Sequence, residues 1–493
     1  MLQWLTYIYE LFYAMASLDK KSVRAEFDKI KISFDEQVKA GKVSTDVAVL
    51  INTLFVLFNI VLSIFLEKQT KKTSANSSIP SSQTDKDEST PSQKKTNKNG
   101  RDETITTLGN TRTVETVATL EVTACNRCGT DLTKIACTCI ERRTRIDIIF
   151  EKTVEHIDAE VKECPACHAV TKPSFPNDMA GPLQYGDGIK AYVVQLMVTQ
   201  MLSLNRTAKM VACLIGQLLS EATLLSYIMR LYAALEAWDT SARLKILNAN
   251  CMHSDETSCR LDKKNYWIHV YSAGDLTLKY LHQKRGKEAI QAIGIIPTYG
   301  GVIVHDCWAS YLSYDHCAHA LCGSHLLREL TFIVEAHNYR WAKNLKRLLK
   351  AACKSVTKNP EKCFDEKTYA KLQACYRRIL ISGEQELPPI PEKTTGRRGK
   401  VAKSDAHNLW ERFDKYESAV LLFAKLAHVP FTNNRAERDL RMGKVKQKVS
   451  GCFRVEKYAH AYCRISSYLQ TMQNKGINPL VAVSMAFAGE FDS

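Results

Sequence analysis

Acidic residues are the scarce class in this chain of 493 residues: 52 Asp and Glu stand against 68 Lys and Arg, a formal charge of +16. That deficit excludes a balanced surface and favours a polyanionic partner, either a nucleic acid or an acidic membrane face. No cleavable signal with a small-residue cleavage site opens the sequence, and the 17 cysteines are scattered along a long chain. The expectation is reduced thiols in the cytoplasm, a few of them holding metal, and not a secreted disulfide scaffold. No internal repeat recurs at periods of about 20 to 50 residues, so no repeat architecture is expected. No Ser or Tyr stands in a motif that marks a covalent nucleophile.

Charge is missing altogether from Val47 to Leu66, VAVLINTLFVLFNIVLSIFL, a run long enough to cross a bilayer. Asn52, Thr53, Asn59 and Ser63 interrupt it, and Val43, Val47, Leu50, Leu54, Leu57, Val61 and Ile64 recur at spacings of four and three. That is the seam of a coiled coil. We expect helices over 1–66 that associate copies of the chain, with membrane attachment through 47–66 as the alternative. Large apolar residues are then nearly absent from 67–117, which includes SANSSIPSSQ. Such a segment buries too little to offset its ordering entropy and reads as a flexible linker.

From residue 118 onward the pattern is that of folded protein. Over 118–176, short β-prone runs such as TRIDIIF alternate with Cys pairs and suggest a small metal-stapled module. Residues 177–244 read as helices, with Gly216 placed to end one and Ser220 to cap the next. A DNA-reading helix-turn-helix and two plainly packed helices are both consistent with that pair. Over 245–323 come the strand-like KILNANCMHSD, YWIHVYSAG, LTLKYLHQ and GGVIVHD, with the helix-like KEAIQAIG before the last. That order predicts an α/β core with a mixed sheet. Residues 324–408 look helical up to a polar loop with Pro388, Pro389, Pro391 and GRRGK, and 409–493 are helical again. A chain this long divides into several domains.

Three groups of residues carry chemistry. Cys125 and Cys128 form one C-x-x-C, Cys164 and Cys167 another, with 35 residues between them. Four thiolates close a tetrahedron around Zn2+ with no open position, so such an ion is structural. Cys137 and Cys139 lie between the pairs and are alternative ligands; ordinary buried thiols are the competing reading. The second group is acidic: Asp255 follows ILNANCMHS, Asp306 follows GVIVH, and Glu437 sits in FTNNRAERDLRM, where Asn433 or Asn434 is placed to cap a helix. Three hard oxygen donors suit Mg2+ or Mn2+ and two-metal phosphoryl chemistry. Spacing alone does not single this trio out of 52 acids, and a strand-end Asp is commonly a turn former. Glu256 is the nearest rival to Asp255, although strand alternation points it to the other face. The third group is the basic run around Glu437: Arg435, Arg438, Arg441, Lys444, Lys446, Lys448, Arg454 and Lys457. Cations on that scale track a phosphate backbone, with a solvated helix face as the alternative. His305, Cys307, Cys322 and His325 allow a further metal reading or simple packing.

Particular stretches resemble the insertion sequence 66 family of bacterial transposases: GPLQYGDGIKAYVVQLM, HSDETS, YWIHVYSA, GIIPTYGGVIVHDCWASY, HALCGSHLLREL, VPFTNNRAERDLRM and KVKQKVSGCFR, together spanning about 180 to 475. The linker and the Cys pairs upstream also resemble that family's amino-terminal region. The resemblance implies an RNase H-like core with an acid triad at Asp255, Asp306 and Glu437, interrupted by a helical insertion after the second acid. It further implies a zinc-binding module, an amino-terminal coiled coil, and a DNA transposase that binds terminal inverted repeats and performs metal-dependent cleavage and strand transfer. DNA, a second copy of the chain and accessory proteins of the element are the expected partners, at the nucleoid. A catalytically inactive DNA-binding relative is the alternative.

Overall fold

The computed structural model describes residues 20–67, 116–148, 150–176, 179, 181–390 and 403–491. Most of the expected linker, the GRRGK loop and the first 19 residues lie outside the described residues. In chain order the helices begin with α1 (Lys20–Lys39) and α2 (Thr45–Glu67). The apolar run Val47 to Leu66 is thus one helix, and Phe34 of α1 meets Phe55 of α2 with ring centroids 5.6 Å apart. Side chains of 58–67 lie outside the described set; among the described residues no helix is long and apolar enough to cross a membrane.

Residues 116–176 hold little regular structure beyond a two-residue antiparallel pair, β1 (Lys162–Glu163) with β2 (Val170–Thr171). Leu120, Ile146, Ile148 and Phe150 are all exposed, and the described residues of the segment form no apolar core of their own. Then come α3 (Asp187–Val194), running on into a π turn (Gln195–Thr199), α4 (Leu204–Ile215), α5 (Glu221–Ala234) and α6 (Glu236–Leu247). Gly216 ends α4 in the left-handed region at φ 72°, where a side chain would be strained, and the Ser220 hydroxyl accepts from the Thr223 amide to open α5.

The sheet has five strands, β3 (Cys251–Leu261), β4 (Lys264–Ala273), β5 (Leu276–His282), β6 (Val302–His305) and β7 (Ala318–Leu321), in the order β5-β4-β3-β6-β7. β3, β4 and β5 form an antiparallel meander, whereas β6 lies parallel to β3 after a crossover through α7 (Lys287–Ile293). The sheet is therefore mixed. The strand expected to begin near Lys245 starts six residues later, because α6 holds residues up to Leu247. The β3–β4 turn puts Asp262 and Lys263 at φ 45° and 63°, the doubly positive geometry that matches strand twist.

Beyond β7 come α8 (Gly323–His337), α9 (Arg340–Lys358), α10 (Glu366–Glu384), α11 (Asp405–Lys415) and α12 (Glu417–Lys425), and then α13 (Asn434–Ser450), α14 (Glu456–Asn474) and α15 (Pro479–Ala488). The chain divides into two compact units, one of Met1–Lys94 with Ala320–Phe431 and one of Lys95–His319 with Thr432–Ser493. The helical stretch expected over 324–408 falls inside the first. In the second, α14 packs on β5 and α13 on β3 and β4, so helices separated from the strands in sequence complete their core. Ile465, Tyr468, Leu469 and Met472 of α14 are buried there beside Leu278 and Leu281 of β5.

Candidate active site

Asp255 lies in the middle of β3, not at its end, and the parallel neighbour explains why that position is special. β3 and β6 pair in the register Cys251↔Val302, Met252↔Ile303, His253↔Val304, and β6 stops at His305. Continuing that register sets Asp306 level with Asp255, at the point where β6 leaves the flank of β3 open. The carboxyl ends of parallel strands are the usual place for a ligand cleft in α/β folds. Each carboxylate is held by backbone: Asp255 Oδ1 accepts the Glu256 amide at 2.9 Å and Asp306 Oδ1 accepts the Trp308 amide at 2.9 Å. The second contact is an Asx turn, so Asp306 does form a turn, with its other oxygen outside that bond.

The acids act on one another. Burial pushes the Asp255 carboxyl well above the usual carboxylate range, and the charges of Glu256 and Asp306 push it further. Glu256 is raised by burial and by Asp306. Glu256 does alternate away from Asp255, yet it belongs to the same charge cluster, which alternation along one strand could not reveal. Its carboxylate pairs with Arg285 at 2.7 Å and accepts the Tyr311 hydroxyl in a short hydrogen bond. Arg285 in turn lies between two indoles, 5.0 Å from the Trp267 centroid and 4.3 Å from that of Trp308. His305 beside Asp306 is fully buried and neutral, its pKa driven down to about 3 by burial and by His319, whose Nδ1 lies 2.9 Å from His305 Nε2.

Glu437 rides on α13, whose placement over β3 is set from inside the core. Asn433 precedes the helix, but its side chain makes no cap. Instead its Nδ2 donates to the Ser254 carbonyl at 2.8 Å, and its Oδ1 accepts from His253 Nδ1 at 2.9 Å. Both partners immediately precede Asp255. In the second turn of the helix, fully buried Asp439 accepts Ser272 Oγ and Thr277 Oγ1, each at 2.7 Å, and Arg435 Nε at 2.9 Å. Gly443 faces Ile268 of β4, and a Cβ there would reach ordinary contact with Ile268 Cδ1 at 3.4 Å. Arg435, expected to face phosphates, is thus turned inward, and half-buried Lys446 has its pKa lowered by burial. Arg438, Arg441, Lys444 and Lys448 are exposed. The charge of Lys444 counteracts the upward shift of Asp255, and Glu437 lies seven residues earlier, on the same face of α13.

The two Cys pairs form matching turns. Gly129 N–H donates to the Cys125 carbonyl at 2.9 Å and His168 N–H to that of Cys164 at 2.8 Å, with Gly129 and His168 both at positive φ, 75° and 56°. Cys128 is lowered to about 7, chiefly by Thr130, and Cys164 is lowered by the amides of its own turn. Among the described residues these four sulfurs are not gathered within reach of one ion. Cys137 Sγ lies 3.0 Å from the Cys139 carbonyl. Cys322 is buried at the start of α8, and His325 falls in the first turn of that helix.

Fold and site together define a mixed α/β protein with an acid pair at the open flank of its sheet and a cation-rich helix packed over it. The chain belongs to the transposase IS66 family, whose family model matches residues 182–461. Its role is therefore in transposition; a transposase family implies DNA as partner and chemistry of the nuclease or transferase type. No curated protein matches the chain.

Proposed function

We propose that this protein is a DDE-type transposase that cuts the ends of its own element and joins them to target DNA at a single site of Asp255, Asp306 and Glu437, in an RNase H-like core. The observation that carries the proposal is the register that sets Asp255 level with Asp306 at the end of β6, where the charge of Asp306 raises the proton affinity of Asp255. Like charges held this close in a partly desolvated notch call for a cation, and donors that are all carboxylate oxygens suit Mg2+ or Mn2+. When bound, divalent ions supply the charge that activates an attacking oxygen and stabilises the leaving oxygen of an in-line displacement.

The chain's own residues do the rest. Asp255 and Asp306 hold their carboxylates rigidly through strand and turn, and Glu437 joins them from α13. Arg438, Arg441, Lys444 and Lys448 run along the exposed side of that helix and bind the phosphate backbone, while Arg435 holds the helix through Asp439. Cys125, Cys128, Cys164 and Cys167 would hold Zn2+ once an ion draws the two turns together, organising a segment whose described residues form no apolar core. The α1–α2 region pairs copies of the chain.

The test is cleavage of a labelled donor carrying the element's terminal repeats. Nicking at the repeat ends in Mg2+, abolished by chelation and followed by joining to a target duplex, is the expected result. Repeat binding without any metal-dependent cut would leave a DNA-binding regulator in its place.

A further inference from the structure

Helix α9 carries seven cations, Arg340, Lys343, Lys346, Arg347, Lys350, Lys354 and Lys358, and no acid in 19 residues. Their placement is ordered. Trp341, Ala342, Leu345, Leu349, Ala352 and Val356 are buried and form the inward face. At about 100° per residue, Lys343, Arg347, Lys350, Lys354 and Lys358 fall within about 80° of arc on the opposite side, all exposed. Along the axis they span roughly 22 Å. Among the described residues none of these five makes an ion pair. The nearby acids act elsewhere: Glu386 accepts the amides of Arg340 and Trp341 at the start of the helix, and Glu335 bears on Lys346.

An ordinary solvated helix alternates signs so that residues four apart attract. Here Lys343 and Arg347, Lys346 and Lys350, Lys350 and Lys354, and Lys354 and Lys358 all repel, each costing a few tenths of a kcal/mol in the free helix. Among the described residues no acid pairs with these five cations, whereas a polyanion would.

We propose that α9 is a second docking surface for the phosphate backbone of duplex DNA, separate from the cations of α13. This rests on the reading of the chain as a DNA transposase. An anionic membrane fits less well, because a helix that lies on lipid needs a free apolar face, and that of α9 is buried in its own unit. Phosphates require only cations and tolerate any base sequence. Five contacts would contribute about 4 to 5 to the slope of log affinity against log salt.

The experiment titrates the full-length protein onto a fluorescent duplex of arbitrary sequence over a range of salt, comparing wild type with Arg347→Gln/Lys350→Gln/Lys354→Gln. These three are mid-helix, away from Lys358, which also favours the carbonyl end of the helix. The variant is expected to lose roughly 3 from the slope and to bind on the order of tenfold or more weakly near 0.15 M salt. Lys350→Arg/Lys354→Arg is expected to keep the wild-type slope. If the triple variant does not fold, the three single variants carry the test, each losing about 1. An unchanged slope in a folded variant overturns the proposal and leaves the proposed function standing. Failure of the wild type to bind duplex at low salt overturns both. Loss of binding to phosphatidylserine vesicles with DNA binding intact also overturns it.

Discussion

Asn433 donates from Nδ2 to the carbonyl of Ser254 at 2.8 Å, across 179 residues of sequence, and so fastens the start of α13 to β3 one residue before Asp255. The bond is buried, and the same side chain also satisfies His253, so one amide holds the start of the helix that carries Glu437 against the strand. Asn433→Ala leaves a buried carbonyl and an imidazole without their partner and is expected to destabilise this unit by about 1–3 kcal/mol. If α13 then drifts by an ångström, cleavage falls on the order of a hundredfold while DNA affinity holds. Denaturant unfolding and single-turnover cleavage check the two halves; equal loss of affinity and rate would contradict the positioning role.

The second anchor of α13 is electrostatic. Asp439 is fully buried and collects Ser272, Thr277 and Arg435. Asp439→Ala strands a largely buried guanidinium, and we expect a loss of about 3 kcal/mol in urea unfolding. Asp439→Ala/Arg435→Met is expected to recover part of it, because both charges then leave together. No recovery would show that the hydroxyl contacts, not the ion pair, carry the anchor.

These anchors also show how far the sequence was legible. The alternation of CMHSDETSCRL and the short apolar GVIVH mark β3 and β6, and Gly216, Ser220 and the KEAIQAIG helix appear where local chemistry puts them. Local chemistry could not show that Asn433, in a capping position, would turn from its helix toward β3, or that Arg435 would bond inward to Asp439. Asn433 is turned by a contact 179 residues away, whereas Arg435 and Asp439 stand four apart on one helix and their pair is drawn inward by Ser272 and Thr277, which lie 167 and 162 residues from Asp439. Asp255 reads as a strand-end residue in the sequence because the end that matters belongs to β6. The positive φ of His168, matching Gly129, was equally invisible in the C-x-x-C spacing.

Protonation gives a third prediction. The folded Asp255 carboxyl is raised above its unfolded value of about 3.9, so the folded state binds a proton the unfolded state has already released. Stability therefore falls as pH rises from about 4 through the folded pKa, and Asp255→Asn removes that loss. Near neutral pH without divalent ions the variant is expected to melt higher than wild type, by a few degrees, with the gap closing below about pH 4. Mg2+ is expected to raise the wild-type melt and leave the variant unmoved. A variant that melts lower at neutral pH would show that Asp255 is not under like-charge strain.

The Cys turns give a fourth. With Cys128 lowered to about 7, its thiolate is available near neutral pH. Purified protein is expected to hold about one equivalent of zinc, and Cys128→Ser or a strong chelator to remove it. Trypsin should then cut faster within 118–176, with the melt of the sheet unit unchanged. Full zinc content in the Cys128→Ser, Cys164→Ser double variant would rule these pairs out as the ligands.

The most direct measurement is metal-dependent cleavage by Asp255→Asn and Asp306→Asn beside wild type, on a donor with the element's own ends. Two carboxylates set level by the β3–β6 register should each be indispensable: both variants are expected to bind the ends as wild type does and to make no cut in Mg2+ or Mn2+. Cleavage at the wild-type rate by either variant would contradict the assignment of this acid pair as the catalytic centre.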